Sequence, residues 1–102
     1  MWRFVAEKKE CVGTEFRSGW FPNISGCAAS CSGQSSMFVY ARMDGKYCNN
    51  NSECQCYCEI QAKNDGTCIT EDAKNWDLYS FVMNNQSKYD WFYIIMRMMH
   101  VL

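Results

Sequence analysis

The sequence holds one histidine, His100, and no Cys-x-x-Cys pair. A nucleophilic cysteine needs a base within hydrogen-bond reach, usually histidine, so that chemistry has almost nothing to work with. A tetrahedral zinc site needs its sulfurs about 3.7–3.8 Å apart, which favours two-residue gaps folded into a knuckle. Without such gaps zinc is not expected. Phosphate-binding loops, nucleotide fingerprints and EF-hand patterns are missing too. Glu71 and Asp72 are adjacent acids after a turn, an arrangement usually just solvated. The expectation is therefore no catalytic residue, no metal ligand and no cofactor.

Charge and hydropathy exclude more. The formal net charge is −1, with no basic block to neutralise phosphates, so nucleic acid is not an expected partner. Residues 83–102 stand apart as a tail whose Tyr89–Leu102 stretch is apolar. A bilayer span needs about 20 residues, and this one is shorter and interrupted by Arg97. An amphipathic packing segment, the start of a truncated membrane span and a gene-model artefact all remain open for it, as does membrane association. The first ten residues, Met1 to Glu10, contain no apolar core of a signal peptide. They read as an N-terminal extension, and the chain as a fragment of a longer secreted protein.

What is abundant is cysteine: eight in 102 residues. A chain of this length forms one domain with a modest core, and ordering costs about 1–2 kcal/mol per residue. Disulfides supply the missing stability, and they persist in oxidising compartments. The even count allows every cysteine to pair: Cys11, Cys27, Cys31, Cys48, Cys54, Cys56, Cys58 and Cys68. Three Asn-x-Ser sequons, at Asn23, Asn50 and Asn85, suit the same compartment as glycosylation candidates.

Local patterns predict the elements. Residues 14–21 lack helical periodicity and read as a strand, stopped by Pro22. Asn23 is a good N-cap for a short helix over residues 24–32, which Gly33 ends, although Gly26 weakens it. Residues 37–42 are rich in β-formers; Asp44-Gly45 is a turn, and Lys46-Tyr47-Cys48 begins the return. Residues 54–60 alternate strictly, with Cys54, Cys56 and Cys58 on one face and Gln55, Tyr57 and Glu59 on the other. Asn64-Asp65-Gly66 marks a turn, and residues 76–82 form a last strand.

Two spacings match. Cysteines four apart on a helix, Cys27 and Cys31, lie about 6 Å apart along its axis. Alternate cysteines on a strand lie about 6.5 Å apart. A helix lying along a sheet can therefore be stapled twice to the cysteine-rich strand region, although spacing leaves the pairing open. The fold class expected is α+β, one short helix on a twisted antiparallel sheet.

Aromatic residues make up 16% of the chain. They either fill a small core or form an exposed binding face, for which Trp20, Tyr40 and Tyr57 are candidates. Arg42, beside Tyr40, joins them because aromatic residues and arginine dominate interface hot spots.

Gly19-Trp20-Phe21, the Cys27-Ala28-Ala29-Ser30-Cys31 helix and the Phe38-Val39-Tyr40 strand together resemble the PAN/apple module. The later Cys-x-Cys-x-Cys and Asp77-Leu78-Tyr79 extend the resemblance over about residues 11–82, with more cysteines than that family's usual pattern. It implies Cys11 paired with Cys68, and Cys27 and Cys31 bridging towards Cys48 and the 54–58 strand. It also implies protein or carbohydrate binding at a cell surface or in secretions. A free-standing secreted effector, toxin-like or protease-inhibiting, is the alternative; tandem copies in the full transcript would favour the module.

Overall fold

The structure is a computed structural model that describes residues 1–83. Asn85, His100 and the tail from residue 84 onwards lie outside the described residues. Five strands and one helix follow in the order β1 (Arg3–Cys11), β2 (Phe16–Phe21), α1 (Ile24–Cys31), β3 (Met37–Ala41), β4 (Cys54–Cys58) and β5 (Thr70–Ser80). All strand pairs are antiparallel, in the spatial order β1-β5-β3-β4-β2. The helix packs against β2, β3 and β4. No helix among the described residues is long and apolar enough to cross a membrane.

The helix begins where the sequence predicts. Asn23 Oδ1 accepts the Gly26 N–H at 2.9 Å, satisfying one of the unpaired donors of the first turn. Past the C-terminal end, Gly33 takes a φ of +82°, a conformation that only glycine adopts without strain. Gly26 weakens the helix but answers a packing need. A Cβ there would come within 3.1 Å of the Phe21 ring, which lies under the helix.

An eight-residue helix is not stable alone. Two disulfides fasten it: Cys27–Cys56 and Cys31–Cys58, with Cα–Cα separations of 5.5 and 5.4 Å. These are the twin staples the spacings allow. Cys48–Cys54 closes a short loop, and Cys11–Cys68 joins the end of β1 to the segment before β5. The described residues contain no free cysteine.

The sheet is covered on both faces. On the helix side, Phe38, Tyr40, Tyr79 and the β4 cysteines pack with Cys27, Ala28 and Cys31. On the far side, Met37, Val39, Leu78 and Cys11 pack with Val5, Tyr57, Ala62 and Cys68. The segment after β4 covers part of this second face. There Gly66 packs so closely on β5 that a Cβ would fall 2.6 Å from Ser80 Oγ.

Three details differ from the sequence reading. The first ten residues are no separate extension, because Arg3–Cys11 pair along β5 as an edge strand. β5 starts at Thr70, since that polar stretch has β1 to pair with. The return after Asp44-Gly45 forms only an isolated bridge, Cys48 to Cys54, because the intervening loop turns on its own side-chain bonds.

Candidate binding face

Register decides which side chains share the face away from the helix. Cys54, Cys56 and Cys58 turn to the helix, so Gln55 and Tyr57 turn away. Across the ladder to β2, Tyr57 stands opposite Arg17 and Gln55 opposite Trp20, with a bulge between Arg17 and Gly19. On β5, Trp76 shares this face with Leu78. Its ring meets Tyr57 edge-on at 5.1 Å and stacks on Tyr47 at 5.2 Å. The Lys46 ammonium sits 5.9 Å over the Tyr47 ring, within cation–π range.

The result is a partly exposed aromatic strip with a cation at each end, on the far face of a covalently braced sheet. Trp20 is 41% exposed, Arg17 is exposed, and Tyr57, Tyr47 and Trp76 are half-buried. Arg17 makes no ion pair among the described residues. Unpaired cations beside aromatic rings are chemistry that a ligand can use. Stacking and edge contacts fix the rings in place before any ligand arrives, which lowers the ordering cost of association.

The sequence-predicted binding residues scatter. Trp20 and Tyr57 lie on this face. Tyr40 does not: it is 7% exposed and turned to the helix side, where its hydroxyl donates to the Phe21 carbonyl at 2.5 Å. Burial raises its pKa. Tyr40→Phe should lower stability by about 0.5–1.5 kcal/mol in urea unfolding, the usual net worth of one hydrogen bond. It should leave any ligand affinity unchanged.

Arg42 is occupied by the protein itself. Its Nε and Nη2 fork onto Asp44 at 2.9 and 3.0 Å, and Nη1 reaches Asp77 at 2.8 Å and Glu7 at 3.5 Å. Donating hydrogen bonds to Asp44 and then to Asp77 raises its pKa further, and hydrogen bonding from Arg42 holds Asp44 below the usual carboxylate range. It ties β1, β5 and the β3 turn together instead of reaching outward.

Of the glycosylation candidates, Asn23 and Asn50 are exposed, and Asn23 also caps the helix. One trio of potential metal ligands among the described residues, Cys27, Cys31 and Cys56, comes within 4.8 Å. All three sulfurs are in disulfides, so none is a thiolate. A metal would have to compete with the bridges.

Comparison with protein families, curated proteins and solved structures finds no match to this chain. The chain is a small disulfide-rich α+β domain. Its four bridges mark an oxidising environment.

Sequence reasoning passed over Arg17, Tyr47 and Trp76. Trp76 and Tyr57 are distant in sequence and meet only because β3 lies between their strands. Alternation gave no signal for Arg17: three residues before Trp20, it shares that face only because the bulge shifts the alternation.

Proposed function

We propose that this domain is an extracellular recognition module, PAN/apple-like in architecture, and that it binds a protein or carbohydrate ligand without catalysing a reaction. The observation that carries this reading is the strip formed by Trp20, Arg17 and Tyr57 on one braced sheet face. Tryptophan, tyrosine and arginine are the residues on which binding energy concentrates. Tyr57 stands on β4, the most heavily cross-linked strand of the sheet, and Arg17 and Trp20 on β2 beside it. Secretion, as one module of a larger protein, agrees with the four bridges and with exposed sequons at Asn23 and Asn50.

Glycan arrays and panels of purified extracellular proteins, probed with the oxidised domain, test the proposal. Trp20→Ala and Arg17→Ala should each weaken binding about tenfold or more, in line with hot-spot truncations. Arg17→Ala, a surface change, should leave stability within about 0.5 kcal/mol. A ligand bound equally well by both variants and the parent would place recognition elsewhere and overturn this assignment.

A further inference from the structure

Four glutamates converge at the corner where β1 turns into β2. Glu59, just after β4, is fully buried; its Oε2 accepts the Cys11 N–H at 2.5 Å, and its Oε1 has no donor. Glu15, half-buried on the β1–β2 connection, lies in hydrogen-bonding contact with Glu59, and its own Oε2 is buried without a donor. Glu10 of β1 interacts with Glu15 as well and stands opposite Glu71 of β5 in the ladder. The charged groups acting on Glu10, Glu15 and Glu59 are themselves carboxyls, while the neighbouring Lys9 is engaged by Asp72.

Two carboxylates in contact away from water do not both stay ionised. One proton turns the two orphaned oxygens into a donor and an acceptor, which satisfies both. A metal ion fits the geometry less well. Among the described residues no three carboxyl groups bring oxygens within 4.8 Å of one another.

We propose that a proton shared by Glu15 and Glu59 acts as a pH-dependent clasp, fastening the β1–β2 turn and the Cys11–Cys68 corner to the end of β4. Burial first, and then the Glu59 and Glu71 carboxyls, push Glu15 up to about 8. Burial first, and then Glu15 and Glu71, push Glu10 up to about 7; burial raises Glu59 as well. An acid whose pKa is raised by folding stabilises the fold fully below its ordinary value, here 4.5. That stabilisation is lost progressively as pH rises above 4.5 and is gone once pH has passed the folded values of about 7 and about 8. The clasp is closed in mild acid and opens across neutrality.

The test is guanidinium unfolding of the oxidised protein over a pH series, with hydrogen exchange of the Cys11 amide followed in parallel. Between about pH 5 and about pH 9 the folding equilibrium constant should fall at least about tenfold, and the Cys11 amide should lose protection. Glu15→Gln places a permanent N–H donor against Glu59, so the alkaline loss should largely disappear; Glu59→Gln does the same from the other side. A flat parent profile, or a parental slope in both variants, overturns the proposal. So does calcium chloride, if it restores alkaline stability to the parent but not to Glu15→Gln, because the corner would then hold a cation and not a proton.

Discussion

Replacing Cys27, Cys31, Cys56 and Cys58 together by alanine should leave a chain that does not fold at about 37 °C, the common fate of small domains stripped of native disulfides. The two bridges span sequence separations of 29 and 27 residues. On the chain-entropy account each restricts the unfolded state by about 3.5 kcal/mol. The two loops overlap, so the losses do not simply add. Even one such loss is large against a total of about 5–15 kcal/mol. Alanine is the substitution to use because all four sulfurs are fully buried, and serine would add unsatisfied hydroxyls.

The same experiment has an internal control. Cys48–Cys54 closes a separation of only six residues, worth about 2 kcal/mol on the same scale. Its removal should lower the denaturant midpoint and leave the fold intact. Far-UV circular dichroism reads the folded fraction. Intact mass before and after reduction checks that four bridges are present in the parent and two in the staple-less variant. A staple-less variant with the parent's midpoint would mean that apolar packing alone holds the helix.

Much of this architecture is legible in the sequence because it is written in local spacing. The Asn23 cap, the one-turn offset of Cys27 and Cys31, and the alternation of Cys54, Cys56 and Cys58 each fix a side-chain direction. Together they allow a helix stapled twice to a strand, and the structure supplies the pairing. What is hidden depends on a partner strand or an irregular backbone. β1 alternates poorly because its register slips between Phe4 and Ala6 and again between Glu7 and Lys9. Lys8 sits there at a φ of +56°, so neither period shows. Glu59 falls on the far face by alternation, yet it is buried by segments remote in sequence.

The misplacement of Tyr40 is instructive in another way. Met37-Phe38-Val39-Tyr40-Ala41 is an unbroken apolar run, and all five residues are buried. Such a run signals a strand covered on both faces, so the bland reading of Tyr40 was available from its neighbours. Arg42 was open to a similar check. Asp44 lies two residues on, within reach of its guanidinium, although Asp77 comes near only through the β3–β5 pairing.

That central strand also carries the second large effect: Phe38→Ala should destabilise the domain by about 3–5 kcal/mol, the range for truncating a buried aromatic ring. Phe38 is fully buried between β4 and β5, opposite Cys58 on one side and Tyr79 on the other. Its ring stacks on Tyr79 at 5.2 Å and packs against Phe81 at 5.1 Å. Tyr79 in turn receives the edges of Trp2 and Phe4 from the N-terminal end of the chain, at 5.5 and 5.8 Å. Burial, followed by the nearby Asp77 charge, pushes the Tyr79 phenol up to about 12. Phe38 therefore supports the ring through which β1 is joined to the helix-side core. The disulfides restrain the surrounding backbone, and a cavity that cannot collapse puts the cost at the upper end of the range. Phe38→Leu fills most of the space and should cost less than half as much. Guanidinium unfolding of both variants with bridges intact separates them. Equal midpoints for Phe38→Ala and the parent would show that the staples alone set the stability of this sheet.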